Sequence, residues 1–403
     1  MSTEPNKQDE IDSLLNSFLQ TKGSLRQMFE DKILEMGISQ NQAMEIVGVE
    51  IRGLNGLLDG TLSRPDFGAL LGLAQFLDVK PDTVVRLFTD AYQKSIQPAL
   101  TNIDKRKFII TNFDLPQLKK GGIINSTTDF EDIEKCILSR FGYASIFEYK
   151  KNVLNAAFSA NKLHKGGLMT DYWKEFGFQY LKETRNRFEY DRKALIDYFP
   201  TIRWHSLNIE KGLQEVIIAL YKMGISIVYQ PKMPSLNVNG ATIPVGDKLG
   251  IILTDQRGFY PTLWFALIHE LHHVLFDWDY IIENGAHISS DDVDLYTKEH
   301  MEETADKFAR DYLFSDEKME YIQPYLKNKS FVAEFAKQNH IHPSIIYSFN
   351  AWDQHKKGDK MAWARVREYM PDISVCIDSL PKNPFEQSAR DSAFLNKELF
   401  FNI

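Results

Sequence analysis

The sequence has 403 residues but only two cysteines, Cys136 and Cys376, and it contains no apolar run of about 18 residues. Two cysteines so far apart argue against a disulfide framework and against a zinc site built from cysteine. The polar start, MSTEPNKQDE, lacks the basic and apolar regions of a signal peptide. We therefore expect a cytoplasmic protein that does not enter a membrane.

Positive charge is also in deficit, because 47 lysines and arginines stand against 55 aspartates and glutamates and give a net charge of −8. This balance argues against indiscriminate binding to nucleic acid, although a local basic patch is compatible with it. The composition, 43% hydrophobic and 25% charged, is that of a globular protein long enough for two or three domains. Local motifs must therefore carry the information about function.

The most informative stretch is WFALIHELHHVLFDW, residues 264–278, which contains the pattern H-E-x-x-H on an apolar helix. One helical turn separates His269 from His273, so both imidazoles can bind one metal ion. Glu270 lies beside that metal, where a carboxylate can act as general base on a metal-bound water. The alternative is a buried helix whose histidines are satisfied by carbonyls or carboxylates.

A second helix is predicted over residues 300–314, HMEETADKFARDYLF, because Ala305, Phe308, Ala309 and Tyr312 repeat at helical spacing. A catalytic zinc usually keeps three protein ligands and one open position, and we expect Glu302 to be the third ligand. Asp306 is predicted to accept the second ring N–H of a ligand histidine and so fix its tautomer. Glu303 is the rival ligand, and a solvated acidic helix face is the alternative reading.

Residues 1–23 are polar and predicted to be flexible, whereas residues 24–92 predict five short helices punctuated by glycine and proline. This stretch resembles the Xre/Cro-type helix-turn-helix, with SQNQAMEIVG as the second helix and VEIRGLNGLLDG as the turn and recognition helix. The resemblance implies that Arg52 and Asn55 read guanine and adenine in the major groove.

The charge of residues 24–92 disagrees with strong DNA binding, since six basic residues stand against ten acidic ones. An acidic module gains little from counterion release. Two roles therefore stay open for this stretch: DNA binding, or protein contact that includes formation of a homodimer.

The pair HELHH and EETADKFA, about thirty residues apart, resembles the ImmA/IrrE metallopeptidases, whose pattern is H-E-L-G-H followed by E-x-x-A-N/D-x-F-A. The stretch that precedes it, from YKMGISIVYQP onward, and the stretch FVAEFAKQNHIHPSIIYSF that follows it are also similar, so the resemblance covers roughly residues 200–355. One position departs from the family. His272 stands where the family mostly has glycine, and it offers a competing ligand.

The resemblance implies an α+β chain that is mostly helical, with an Xre-like five-helix domain and a zincin-like metallopeptidase domain with a small sheet. Residues 93–200 are then a helical connector, residues 201–355 the metallopeptidase domain and residues 356–403 a C-terminal extension. The implied function is a Zn²⁺-dependent endopeptidase that cleaves a repressor or antitoxin. The alternative is an antitoxin-like or phage-related transcription regulator whose peptidase-like domain acts as sensor or scaffold.

Two short strands, ISIVYQP and LGIILTD, are predicted on either side of a glycine-rich turn. Substrates of many zinc peptidases pair with an edge strand, and we expect LGIILTD to be that edge. Arg257 and Tyr260 follow it and are alternative candidates for stabilising an oxyanion.

Overall fold

The computed structural model describes residues 23–149, 167–284 and 295–401. The segment predicted to be flexible, residues 1–23, lies outside the described residues except for Gly23. The chain forms two compact units, Met1–Arg106 and Lys107–Ile403.

The first unit contains the four helices α1 Leu25–Met36, α2 Gln40–Val47, α3 Ile51–Leu58 and α4 Phe67–Phe76, and most of a fifth, α5 Pro81–Asn112, which continues past Arg106 into the second unit. A capping box of Ser39 and Gln42 begins α2, and Gly48 ends it in the left-handed conformation. Apolar side chains from all five helices form one buried core. The fifth helix is longer than the sequence predicts, since it continues past residue 92 to Asn112.

The second unit is also mostly helical and contains one small sheet. Its elements are α6 Leu115–Lys120, α7 Phe130–Phe141, α8 Gly167–Thr184, α9 Arg192–Ile202, α10 Gly212–Lys222, β1 Ser226–Tyr229, β2 Gly240–Val245, β3 Lys248–Leu253, α11 Tyr260–Phe276, α12 Trp278–Asn284, α13 Leu295–Phe314, α14 Asp316–Ile322, α15 Lys329–Gln338, α16 Pro343–Lys356, α17 Ala362–Val366, α18 Ile373–Ile377 and α19 Ala389–Asn396. The prediction of a mostly helical α+β chain with a small sheet is confirmed.

The sheet has the strand order β1-β3-β2, with β1 parallel and β2 antiparallel to β3. The prediction that LGIILTD is an edge strand is therefore wrong, because this stretch forms the central strand β3. An apolar run buried along its length is typical of a strand with neighbours on both sides. The stretch predicted as a turn contains β2 instead. Gly240 and Pro244 weaken its strand signal, and proline is tolerated in an edge strand.

The outer edge of β1 is paired with the C-terminal extension. The N–H of Tyr229 donates to the carbonyl of Pro381 at 2.9 Å, and the N–H of Asn383 donates to the carbonyl of Tyr229 at 2.8 Å. The β2 strand forms the opposite edge of the sheet.

The helix α11 is buried almost throughout, and it packs against β2, β3 and α13. At its C-terminal end the hydroxyl of Tyr190 donates to the carbonyl of Val274 at 3.3 Å, and the guanidinium of Arg192 donates to that of Leu275. These bonds satisfy carbonyls that lack partners within the helix. The positive charge of Arg192 also interacts favourably with the negative, C-terminal end of the helix dipole. Residues of the predicted connector therefore fix one end of α11.

None of the helices in the described part of the chain combines the length and the apolar character that crossing a membrane requires.

Candidate metal centre

Two helices bring three side chains of the H-E-x-x-H and acidic motifs together. His269 and His273 lie one turn apart on α11, and Glu302 reaches them from α13. The two Nε2 atoms are 3.1 Å apart. The carboxylate of Glu302 lies 3.2 Å from Nε2 of His269 and 3.5 Å from Nε2 of His273.

These distances fit a tetrahedral zinc site. Nitrogen and oxygen ligands about 2.0–2.1 Å from a tetrahedral zinc lie about 3.3–3.4 Å from one another. The separation of 3.1 Å between the two Nε2 atoms falls close to that value, and so do the distances of 3.2 Å from His269 to Oε2 of Glu302 and 3.5 Å from His273 to Oε1. The residues present can therefore hold a zinc ion, with one coordination position left for another ligand.

The outer nitrogens of both histidines are bound by carboxylates. Nδ1 of His269 lies 2.9 Å from Asp306, and Nδ1 of His273 lies 2.8 Å from Asp277. An ionised carboxylate only accepts hydrogen bonds, so each Nδ1 carries a proton. When a ring is neutral, its Nε2 therefore bears the lone pair and turns it towards the other Nε2. Two lone pairs at 3.1 Å repel each other unless a proton or a metal ion lies between them.

The pKa values of these groups reflect the same arrangement. Burial disfavours the imidazolium of His269, but hydrogen bonds to Asp306 and Glu302 outweigh it and raise the pKa to about 10. For His273, Asp277 and Glu302 likewise overcome burial and raise the pKa to about 9. Burial alone would raise the pKa of Asp277, yet its histidine partners lower it to about 2. The surroundings favour positive charge at this point, which a divalent cation supplies.

Glu270 is held beside the ligands by the edge strand β2. Its side chain is buried, and the hydroxyl of Thr242 donates to Oε2 at 2.6 Å. Oε1 lies beside Gly240, where an added Cβ would come within 2.7 Å of it. A side chain at position 240 would therefore displace the carboxylate that is predicted to act as general base.

The two rival ligands lie elsewhere. Glu303 is exposed on α13 and does not belong to the group of converging ligand atoms. His272 is buried between Phe276 and Phe308, and its Nδ1 faces Asp277 at 3.6 Å. Its nitrogen thus approaches the outer side of His273, where His272, His273 and Asp277 form a second group of potential ligands.

The two candidates for an oxyanion donor differ in their surroundings. The hydroxyl of Tyr260 is buried and donates to the carbonyl of Ser206 at 2.8 Å. The exposed guanidinium of Arg257 lies over the rings of Trp352 and Trp363, 5.4 and 5.0 Å from their centroids. Only Arg257 presents an exposed polar group.

The residues predicted to read DNA lie on α3 in the first unit. Arg52 is exposed. The amide oxygen of Asn55 accepts a hydrogen bond of 3.1 Å from Arg26, whose guanidinium also binds Asp59. A base contact by Asn55 must therefore share its oxygen with Arg26, whereas Arg52 meets no such competition in the described contacts.

Sequence reasoning missed three residues of the centre: Gly240, Thr242 and Asp277. The spacing of four between His273 and Asp277 is a local signal that could have revealed the carboxylate. Thr242 and Gly240 precede Glu270 by about thirty positions, in a stretch interpreted as a turn. Their contacts follow from strand pairing, which no local pattern shows.

Comparisons of the chain with protein-family models, with curated proteins and with solved structures give no match. The likeness of HELHH and EETADKFA to the ImmA/IrrE pattern therefore remains a resemblance of short motifs. The case for a function depends on the geometry of the centre.

Proposed function

We propose that the chain is a zinc-dependent endopeptidase that cleaves a specific protein partner, such as a repressor or an antitoxin. The observation that carries this proposal is the convergence of His269, His273 and Glu302 at separations of 3.1–3.5 Å. Three protein ligands with one remaining position are typical of catalytic zinc sites, whereas structural sites use four protein ligands.

A bound zinc ion would supply polarisation of a carbonyl oxygen and a lowered pKa for coordinated water. The chain provides the proton acceptor. Glu270 adjoins His269 in sequence and is buried, and Thr242 binds one of its oxygens and so fixes the plane of the carboxylate. A positioned general base of this kind typically contributes about 10²–10⁴ to the rate.

The edge strand β2 is the proposed binding surface for the substrate backbone. Its first residue, Gly240, lies against Glu270, so a peptide that pairs with β2 passes the proton acceptor. Backbone hydrogen bonds to an edge strand position an extended peptide independently of its side chains. Pairing with an edge strand does not require a free chain end, and this suits an endopeptidase.

The test compares the full wild-type chain with Glu270→Gln, which keeps the shape of the side chain and removes its basicity. Each protein is co-expressed with the products of neighbouring genes, and mass spectrometry identifies fragments under a condition in which the wild type cleaves. Glu270→Gln should retain about one zinc per chain and lose about 10²–10⁴ in cleavage rate. Glu303→Gln, an exposed carboxylate near the centre, is the matched control.

Two results of that test contradict the proposal. Loss of zinc from Glu270→Gln would make Glu270 a structural residue. Normal biological activity of a variant that cannot cleave would favour the alternative, in which the protein is a transcription regulator and the second unit acts as a sensor or scaffold.

DNA binding by residues 24–92 is proposed as the way in which the peptidase is coupled to regulation. The exposed position of Arg52 at the start of α3 supports this role. A gel-shift assay on the region upstream of the gene tests it, and Arg52→Ala should weaken binding by about 1–3 kcal/mol. A wild-type protein that gives no salt-sensitive shift would leave protein contact as the better account.

A further inference from the structure

A pocket adjoins the metal centre on the side of the first turns of α11. Its lining combines aromatic rings with a few polar side chains, namely those of Asn239, Arg257, Pro261, Thr262, Phe265, Ser348, Phe349, Trp352 and Trp363. Phe265 precedes His269 by one turn, and the two rings are 6.4 Å apart. Asn239 directly precedes Gly240, which lies against Glu270. A peptide that extends along β2 can therefore reach this pocket within a few residues of the metal centre.

Arg257 is held in place by aromatic contacts. Its guanidinium carbon lies 5.4 Å from the ring centroid of Trp352 and 5.0 Å from that of Trp363. Trp363 is in turn stacked on Phe259 at 5.4 Å, and Trp352 is packed on Phe265 at 5.3 Å. Contact with an aromatic ring uses the charge of a guanidinium and leaves its N–H groups available for hydrogen bonds.

The positive charge of Arg257 is not balanced within the described residues. No carboxylate among them forms an ion pair with this guanidinium, although Arg310 nearby binds both Asp316 and Asp353. A second positive charge lies near the same tryptophan, since Nζ of Lys356 is 5.5 Å from the ring centroid of Trp352. The pocket therefore contains a guanidinium without a carboxylate partner among the described residues, which suits an anion.

We propose that Arg257, Trp352 and Trp363 form a specificity site for a carboxylate of the substrate, bound a few residues from the scissile bond. A carboxylate accepts two parallel hydrogen bonds from the edge of a guanidinium. This inference rests on the proposed peptidase function. It adds that the preferred substrate carries an acidic side chain, or the carboxylate of a chain end, beside the cleavage site.

The experiment measures binding by the zinc-loaded full-length Glu270→Gln variant, so that cleavage does not disturb the equilibrium. The probes are fluorescent decapeptide pools with blocked ends, in which each position in turn is fixed as Glu, Gln or Lys. A further Gln pool with a free C-terminal carboxylate distinguishes a chain end from a side chain. Fluorescence anisotropy gives the dissociation constant of each pool.

At one position the Glu pool should bind about tenfold more tightly than the Gln pool, which is the value of one charge-assisted hydrogen bond. Adding Arg257→Gln should abolish this preference, so that the Glu and Gln pools bind with the same dissociation constant. Arg257→Lys should restore part of it, since the charge returns without the planar fork. Arg365→Gln is the matched control, because it removes an exposed arginine from the same helix as Trp363.

Equal binding of Glu and Gln pools, absence of binding by every pool, or a preference that survives Arg257→Gln would each overturn the specificity site. Tighter binding of only the free-ended pool would assign the site to a chain end. Failure of the proposed function has a different signature: the preference for Glu would persist while the wild type cleaves none of the pools it binds.

Discussion

The hydroxyl of Thr242 donates a hydrogen bond of 2.6 Å to Oε2 of Glu270, and this bond joins the edge of the sheet to the helix that carries the metal motif. Both side chains are buried, so water cannot replace the bond at low cost. The orientation of the predicted general base therefore depends on a residue of the sheet.

Thr242→Val is expected to remove this bond while it keeps the shape of the side chain. The free energy of unfolding should fall by about 1–3 kcal/mol, because a buried carboxylate loses a donor. Cleavage should fall while zinc content is retained, since Thr242 does not belong to the group of ligands. Denaturant unfolding and zinc analysis measure both effects. Thr242→Ser, which keeps the hydroxyl, is the control, and equal losses in both variants would contradict this role.

Glu302→Ala and Glu303→Ala distinguish the two candidate ligands on α13. Loss of a residue that only hydrogen-bonds to a metal ligand typically weakens metal binding by roughly 10–100-fold. Loss of the Glu302 carboxylate, which is proposed to bind the zinc directly, should weaken zinc binding by more than that. Glu303→Ala should leave affinity unchanged, because Glu303 is exposed outside the converging group. Competition with a chromophoric chelator provides the affinities. Full zinc binding by Glu302→Ala would reject this ligand set and make Glu303 or His272 the candidate.

Asp306→Asn should weaken zinc binding by about 10–100-fold. Its carboxylate lies 2.9 Å from Nδ1 of His269, and an amide accepts that N–H less strongly than an anion does. Asp311→Asn is the matched control, since Asp311 is exposed further along the same helix. The same chelator competition measures both variants. Equal affinity of the two would show that the contact with His269 has no influence on the metal.

The raised pKa values of His269 and His273 predict how pH acts on the zinc-free protein. Both histidines titrate near 6.5 when unperturbed, and in the fold their pKa values lie at about 10 and about 9. Their protonation therefore stabilises the fold fully below pH 6.5, and this contribution is lost as the pH rises through 9 to 10.

Thermal unfolding of the chelated protein between pH 6 and 10 measures this effect, and Tm should fall over that interval. The zinc-loaded protein is the control and should not show the same fall, because metal-bound imidazoles carry no proton at Nε2. Zinc affinity should rise over the same range, by up to about tenfold per pH unit for each proton displaced. A Tm of the chelated protein that is constant from pH 6 to 10 would contradict the raised pKa values.

The helical part of the candidate site could be predicted from the sequence, because its information is local. Spacing of four places His269 and His273 on one face of a helix, and helical phase favours a common face for Glu302 and Asp306. The resemblance of the motifs to the ImmA/IrrE pattern predicted a mostly helical chain with a small sheet, and the structure has both.

The remainder could not be predicted, because it depends on contacts between distant positions. A short apolar stretch such as LGIILTD does not reveal whether it has one neighbour or two, so its place at the centre of the sheet was missed. Arg257 meets Trp352 and Trp363 only through the packing of α16 and α17, about a hundred residues later. No local pattern links these positions.

The bonds from Tyr190 and Arg192 to the last carbonyls of α11 have a practical consequence for truncation. A fragment that begins at residue 201 would expose these carbonyls and would also lose the stacking of Tyr190 on Trp278, whose rings lie 4.0 Å apart. A fragment that is to refold with an intact metal-binding helix should therefore include Tyr190 and Arg192, and the second compact unit, residues 107–403, meets this condition.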